Sequence, residues 1–178
     1  PLRFSFTQER DIKTYLEQTY NGIIDKDIVT ERSKINREKF TKIASYIMAN
    51  AGKEFSSKNI GEYFKRQNDE ILDKKMIYRY LDKMVKACLI SRVKRFNIVG
   101  KQSMVYIEKQ YAVDTGFRMI NTNLVNFEDT FFLENIIYNE LISRGYEVFT
   151  GKTYKGEVDF VVIDGKQKCF IQVAYYLH

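Results

Sequence analysis

Residue types that carry much of enzyme chemistry are scarce in this chain. Its 178 residues include no tryptophan, one proline, one histidine and two cysteines. The single histidine, His178, argues against serine–histidine or cysteine–histidine catalysis and against a metal site built on imidazole. Cys88 and Cys169 lie far apart in apolar runs without metal-type spacing. We therefore expect two free thiols in the core and a reducing, cytoplasmic location.

Long hydrophobic runs are also absent. No stretch reaches the roughly 18 consecutive apolar residues that a transmembrane helix needs, so we expect no membrane partner. The first six residues, Pro1 to Phe6, contain neither a start methionine nor the basic-then-apolar order of a secretion signal. We therefore expect the chain to be a piece of a longer protein.

Basic residues are present in excess, and they are unevenly distributed. The net charge is +6, yet residues 30–110 contain 19 basic and 9 acidic side chains, whereas residues 111–178 contain 6 and 9. A basic segment beside a mildly acidic one indicates that the middle of the chain contacts a polyanion. A lysine-rich solvated surface is the alternative interpretation.

Hydrophobic periodicity divides the chain into three parts. Residues 1–29 hold one amphipathic helix, predicted over 8–24, which either contacts a preceding part of the protein or docks on the middle segment. Residues 30–110 show three helical patterns and then two strand-like runs, the order of a winged helix with a β-hairpin wing. These patterns occupy residues 40–48, 57–64, 73–90, 91–98 and 103–107.

Residues 111–178 have the pattern of a small α/β layer. A helix is predicted over 131–144, ended by Gly145, and three short strands follow. Gly165 supplies the turn of an antiparallel hairpin between the last two strands. The fold class is therefore α+β, with a three-helix winged-helix domain followed by a small, partial α/β domain. The strands are predicted at 146–150, 156–162 and 171–174.

A turn is predicted where this second unit begins. Asp114-Thr115-Gly116 combines an Asx-type cap with a glycine that we expect at positive φ. Arg118 is expected to pair with a carboxylate.

The third helical pattern predicts a DNA-binding surface. Its apolar positions define a core face, and its basic residues fall mainly on the other side, where a recognition helix meets the groove and the phosphates. The wing adds further cations. A winged helix used only for protein docking is the alternative. The predicted contacts to double-stranded DNA are Lys74, Lys75, Tyr78, Arg79, Lys83, Arg92, Lys94, Arg95 and Lys101.

A carboxylate stands inside an apolar strand near the end of the sequence. Asp159 lies in the run Val158 to Val162, and a buried carboxylate needs a partner or a metal ion. Gln172 and Ala174 share one face of the next strand, because strand side chains alternate with period two. A metal-dependent nuclease site needs a lysine at the position of Ala174.

These residues carry a resemblance. The helix of Glu134, the pair Gly145-Tyr146, Asp159 and the run Gln172 to Ala174 resemble the PD-(D/E)XK nuclease superfamily. With Lys109-Gln110-Tyr111 and residues 114–118, nearly the whole chain is similar to the C-terminal region of a prokaryotic AAA-type ATPase family.

The resemblance implies a restriction-endonuclease-like domain after the winged helix. It implies Glu134, Asp159 and Gln172 as catalytic residues and as ligands of Mg²⁺ or Mn²⁺ if the site is active. No P-loop pattern occurs in the chain, so ATP would bind only in an N-terminal ATPase domain that precedes it.

Ala174 leaves three functional hypotheses open. The first is a non-catalytic accessory region in which the winged helix binds duplex DNA and the nuclease-like domain is degenerate. The second is an active nuclease whose lysine is relocated to Lys152, Lys155 or Lys168. The third is a protein-docking module.

Overall fold

The computed structural model of the chain describes residues 9–66, 72–98, 102–122, 129–154 and 156–174. These ranges contain six α-helices and one five-stranded mixed sheet, which is an α+β architecture. The helices are α1 (Glu9–Ile23), α2 (Arg37–Ala49), α3 (Ser57–Arg66), α4 (Lys74–Lys86), α5 (Thr115–Asn121) and α6 (Asp129–Ser143). The strands are β1 (Ile90–Asn97), β2 (Gln102–Ala112), β3 (Glu147–Lys152), β4 (Glu157–Asp164) and β5 (Gln167–Ile171).

The first helix docks on the rest of the chain. It matches the predicted helix over 8–24 and continues into a π-helical turn, Ile24–Ile28. Ile24 and Ile28 are fully buried, and the ring of Tyr20 packs on that of Phe117 in α5 with centroids 5.5 Å apart. The apolar stripe of α1 is therefore covered by the chain itself.

Side-chain caps begin α2 and α3 where the sequence places polar residues. The Asn36 side chain accepts a hydrogen bond from the Lys39 amide at 2.9 Å, and the Ser56 hydroxyl accepts one from the Asn59 amide at 3.2 Å. The third helical pattern was predicted to continue to residue 90, but α4 ends at Lys86. The chain turns at Cys88, whose φ is 54°, and enters β1 two residues later.

One sheet joins the two halves of the chain. Its strand order is β2-β1-β3-β4-β5, so β1 lies between β2 and β3. β1 pairs antiparallel with β2 and parallel with β3, where Arg95 lies opposite Thr150. β3, β4 and β5 are successive antiparallel neighbours, and the antiparallel hairpin of the last two was predicted. Its second strand was predicted at 171–174 but lies at Gln167–Ile171. The predicted domain boundary after residue 110 falls inside β2.

Two hydrophobic cores lie on this framework. The first is formed by side chains of all five helices from α1 to α5 and includes Phe40, Tyr80 and Phe117. The second lies between α6 and the sheet, where the rings of Tyr111 and Tyr138 stack with centroids 4.4 Å apart. Val93 of β1 belongs to the second core, so each core draws residues from both sides of the predicted boundary.

Two local expectations were wrong. Cys88 and Cys169 are both exposed rather than buried in the core. Gly116 does not have the positive φ expected of it. In the first turn of α5, the Gly116 amide donates a hydrogen bond to the capping side chain, Asp114 Oδ1, at 2.7 Å. A Cβ added at Gly116 would lie 2.8 Å from Leu16 Cδ2. Glycine serves close packing between α1 and α5 at this position.

None of the helices in the described part of the chain is both long enough and apolar enough to cross a bilayer.

Gly52 is the glycine whose conformation the fold requires. Its φ is +90°, and its amide donates to the Gln110 carbonyl at 2.7 Å, which links the end of α2 to β2. We expect Gly52→Ala to lower the free energy of unfolding by about 1–2 kcal/mol, because an L side chain is strained at this φ. Gly22→Ala is the control, since nothing lies within 4 Å of its added Cβ and alanine favours a helix. Urea unfolding curves measure both; equal stability of the two variants would contradict the prediction.

Candidate nucleic-acid interface and carboxylate cluster

The outer face of α4 forms a basic surface, which we call the α4 surface. The opposite face carries Ile77, Tyr80 and Leu81 into the first core, so the helix is anchored by its apolar side. Five cations and one acid line the outer face, which forms a shallow groove. The lining residues are Lys74, Lys75, Tyr78, Arg79, Asp82, Lys83 and Lys86.

Aromatic contacts order part of the α4 surface. The Lys74 ammonium lies 5.9 Å from the centroid of the Tyr78 ring, and that ring stands edge-on to Phe55 at 5.6 Å. Lys86 was not among the predicted DNA contacts. Its spacing of three residues from Lys83 would have revealed it, because residues three apart on a helix share a face.

The cations predicted on the wing differ in their exposure and in their partners. Arg92 pairs with Asp82 of α4 at 2.8 Å, and Lys94 is exposed. Arg95 is only 4% exposed, and its guanidinium pairs with the carboxylates of Glu54 and Glu157, the latter at 2.6 Å. Lys101 lies outside the described residues.

Arg95 is therefore not a surface contact for DNA, and the reason is its place in the sheet. β1 is an internal strand, and period-two alternation puts Arg95 on the same side as the buried Val93. Because the segment contains many basic residues, its sequence pattern did not distinguish the buried Arg95 from exposed cations. Because a buried guanidinium needs compensating charge, the two carboxylates stabilise it inside the protein.

The second cluster is centred on Glu134 of α6. Its side chain is buried, and its Oε1 accepts hydrogen bonds from the Lys109 ammonium at 2.8 Å and from the Tyr111 hydroxyl. Burial raises the pKa of Glu134, while Lys109 opposes that increase. Burial, followed by the negative charge of Glu134, raises the pKa of Tyr111. Lys109 and Tyr111 reach the same carboxylate because alternate residues of β2 face α6.

Asp159 joins this cluster from β4. Its Oδ2 accepts hydrogen bonds from Gln172 Nε2 at 2.6 Å and from the Val173 amide at 2.7 Å. Burial is the largest cause that raises the pKa of Glu134, and the Asp159 charge raises it further, while Lys109 and Tyr111 lower it. Asp159 and Gln172 are thus in direct contact, and among the described residues their only link to Glu134 is the effect of the Asp159 charge.

The lysine of this cluster is Lys109, which the sequence reasoning did not select. Of the three lysines proposed as substitutes, Lys152 is exposed and Lys155 lies outside the described residues. The Lys168 ammonium lies 4.7 Å from the centroid of the Phe96 ring. The pattern Lys109-Gln110-Tyr111 on a strand facing a helical glutamate was the available signal. It is visible only once β2 and α6 are known to pack.

Amide side chains hold α6 against the same strand. Asn135 is fully buried, donates to the Ala112 carbonyl at 2.8 Å and accepts from the Ala112 amide at 3.0 Å. Asn139 donates to the Ala112 carbonyl at 3.0 Å. These bonds and the Lys109–Glu134 pair fix the position of α6 on β2, so the cluster has a structural role whatever its chemistry.

The donor set is a poor fit to Mg²⁺ or Mn²⁺, which prefer several oxygen ligands. Glu134 Oε1 and Asp159 Oδ2 already accept two hydrogen bonds each from the protein. The Gln172 amide nitrogen is directed at Asp159. Within the residues that the structure describes, no group of three or more histidine, cysteine, aspartate or glutamate side chains is placed to hold a metal ion.

Comparisons with known proteins identify a family but give no activity for its members. A protein-family model described as "Domain of unknown function (DUF8612)" matches residues 4–128. A Haemophilus influenzae protein named "Uncharacterized protein" is 35% identical over 101 residues, which cover 56% of this chain and 25% of that protein. The aligned region thus spans about a quarter of the length of that relative. No solved structure matches the chain.

The buried Lys109–Glu134 pair makes a prediction for stability. Lys109→Met leaves the Glu134 carboxylate buried without its cation, which we expect to cost about 3–5 kcal/mol at neutral pH. Adding Glu134→Gln removes the unpaired charge and should restore much of this loss. Lys42→Met, which breaks the exposed pair with Glu38, is the control and should change little.

The same variants respond differently to pH. A carboxyl whose folded-state pKa is raised binds its proton in the folded protein before the unfolded chain does. The stability of Lys109→Met should therefore rise as the pH falls from 7 toward the ordinary glutamate pKa of about 4.3. The double variant should lack this rise relative to its own neutral-pH value. Parallel pH dependence in chemical unfolding of the two proteins would contradict the assignment.

Proposed function

The chain belongs to the family described as Domain of unknown function (DUF8612), and we propose that it is a non-catalytic accessory region that binds double-stranded DNA. In this proposal residues 30–110 form a winged helix whose recognition helix is α4. Residues 111–178 form a degenerate nuclease-like domain that supports it. ATP would be bound by a preceding ATPase domain of the same protein, and the whole acts in the cytoplasm.

The observation that carries the proposal is the α4 surface. Its cations outnumber its acids by five to one, and Lys74, Lys75 and Arg79 are exposed in the first two turns. A helix that offers its first turns and a row of cations suits entry into the major groove. Glu54 and Lys109 form an isolated antiparallel bridge, which supports a third, minimal strand beside the β1–β2 hairpin.

The carboxylate cluster supports the non-catalytic part of the proposal. Glu134 and Asp159 each have partners from the protein, and those partners tie α6 to β2 and β4 to the segment after β5. Structural roles therefore account for both acids. Ala174 is exposed and supplies no group that could polarise an attacking water.

Duplex DNA titrations at several salt concentrations test the binding. We expect the unaltered chain to bind a random duplex with an affinity that falls steeply with salt, because each neutralised phosphate releases counterions. Lys75→Gln combined with Arg79→Gln should weaken binding and reduce the slope of log affinity against log salt by about 2. Fluorescence anisotropy provides the measurement.

The matched control removes the same charge elsewhere. Lys13→Gln combined with Lys26→Gln changes two exposed lysines in α1 and the π-helical turn that follows it, away from the α4 surface. It should leave the salt slope unchanged. Binding without salt dependence, or an equal loss in both variants, would refute the α4 surface as the interface. Complete lack of duplex binding would favour the protein-docking alternative.

A metal-dependent deoxyribonuclease is the second candidate function. The ion pair of Glu134 with the buried Lys109 and the hydrogen bond from Gln172 to Asp159 favour it, since Lys109 provides a cation that position 174 lacks. The occupied oxygens of both acids make it the weaker of the two.

Cleavage assays with Mn²⁺ on duplex, branched and single-stranded DNA decide between the candidates. If the second candidate holds, Asp159→Asn should lose about a hundredfold or more of the activity. Asp164→Asn, at the exposed end of β4, should retain it. Cleavage at equal rates by all proteins would identify a contaminating nuclease. If none of the proteins cleaves DNA, the result supports the non-catalytic accessory role.

A further inference from the structure

An aromatic ring stands in solvent where β3 turns into β4. Tyr154 is 89% exposed, whereas the other large hydrophobic side chains of the described residues are at most 52% exposed. The Thr153 amide donates to the Gly156 carbonyl at 2.9 Å, and the Gly156 amide donates to Thr153 Oγ1 at 3.1 Å. We call Thr153, Tyr154 and Gly156 the Tyr154 turn. Its ring forgoes the burial that usually stabilises a tyrosine, so the ring is available to a ligand.

The Tyr154 turn lies at the far end of the β1–β2 hairpin. β1 and β3 are parallel, so both strands end on the same side of the sheet, and Asn97 lies opposite Lys152. The Ile98 amide donates to the Lys152 carbonyl at 3.0 Å, directly before the turn. Asn97 is also paired with Gln102, where β2 begins. The predicted wing and the Tyr154 turn are therefore neighbours at one end of the sheet.

A series of contacts connects this end of the sheet with the α4 surface. Glu157, the first residue of β4, pairs with Arg95 at 2.6 Å. The same guanidinium pairs with Glu54, and the next residue, Phe55, packs edge-on against the Tyr78 ring at 5.6 Å. A few side-chain lengths therefore separate the Tyr154 turn from the first half of α4. Since a duplex advances about 3.4 Å per base pair, one DNA molecule spans this separation within several base pairs.

The turn combines a cation with an aromatic face. The Lys152 side chain is exposed where the turn begins, and the acid that begins β4, Glu157, is compensated by Arg95. Proteins that bind single strands use the same two groups, a cation for the phosphate and an aromatic ring on which a base stacks. In a paired duplex the bases are stacked on one another. Only an unpaired base therefore offers its face to Tyr154.

We propose that the Tyr154 turn binds an unpaired base next to the duplex held by α4. Tyr154 stacks on the base, and Lys152 neutralises a phosphate beside it. This inference rests on the proposed DNA-binding function and names its substrate class, which is duplex DNA interrupted by unpaired bases. The contact selects DNA structure and not sequence, because every base has a π face.

Two duplexes of equal length test the proposal, one fully paired and one with a short central bubble of mismatched pairs. They carry the same number of phosphates, so a difference in affinity reports the unpaired bases and not the charge. We expect the unaltered chain to bind the bubble duplex about tenfold more tightly, which is the effect of one stacked base. Fluorescence anisotropy at constant salt measures both affinities.

Substitution of Tyr154 separates its ring from its hydroxyl group. Tyr154→Ser should abolish the preference for the bubble duplex and leave the affinity for the paired duplex unchanged. Tyr154→Phe retains the ring and should keep the preference. Neither variant changes the charge, so the slope of log affinity against log salt should stay the same. The melting temperature should not fall, since an 89% exposed ring has little packing to lose.

Phe170→Ser is the matched control. It removes another exposed ring, on the edge strand β5, and should keep the preference for the bubble duplex. Aminopurine, a fluorescent base analogue, gives a direct readout when it is placed in the bubble, because stacking on an aromatic ring quenches its fluorescence. The unaltered chain and Phe170→Ser should quench it, whereas Tyr154→Ser should not.

The possible outcomes distinguish this inference from the proposed function. If the unaltered chain binds both duplexes equally, and Lys75→Gln with Arg79→Gln weakens that binding, the stacking site is wrong and the α4 surface remains the interface. A bubble preference that persists in Tyr154→Ser would likewise overturn the stacking site. If neither duplex is bound, the DNA-binding function and this inference are both wrong.

Discussion

The double pairing of β1 is the constraint on which the rest of the structure depends. Because β2 and β3 both bind its edges, the hairpin after α4 becomes part of the five-stranded sheet. Arg95 of β1 is then enclosed, and the carboxylates of Glu54 and Glu157 compensate its charge from two different parts of the chain. The helical half and the α6 half are thus joined by main-chain hydrogen bonds and by the buried Arg95 with its two exposed carboxylate partners.

This arrangement separates two surfaces with different properties. The α4 surface is basic, open and held from behind by the first core, so its cations remain available to a polyanion. Glu134 is enclosed between β2 and α6 and is compensated by Lys109, whereas the half-buried Asp159 of β4 accepts hydrogen bonds from the exposed Gln172 and from the Val173 amide. Electrostatics on the first surface can steer a ligand, whereas electrostatics in the second stabilises packing.

Much of the fold was predictable from periodicity and capping residues. The predicted helices match α1 to α4 and α6 apart from their ends, and the hairpin of β4 and β5 was predicted with its turn at Gly165. Those signals are local, because a cap or an apolar stripe is set by neighbours within a turn or two. The end of α4 was misplaced, since apolar residues continue from the helix into β1 without interruption.

The sequence by itself determined the α+β composition and the excess of basic residues before residue 110, and it singled out Glu134, Asp159 and Gln172 only through a resemblance. Only the tertiary structure decided which charges are used inside the protein. Arg95 and Lys109 look like the other cations in the sequence, but both are buried and paired with acids distant in the chain. The physical reason is that strand pairing over long separations sets which side chains are enclosed, and no local pattern specifies that pairing.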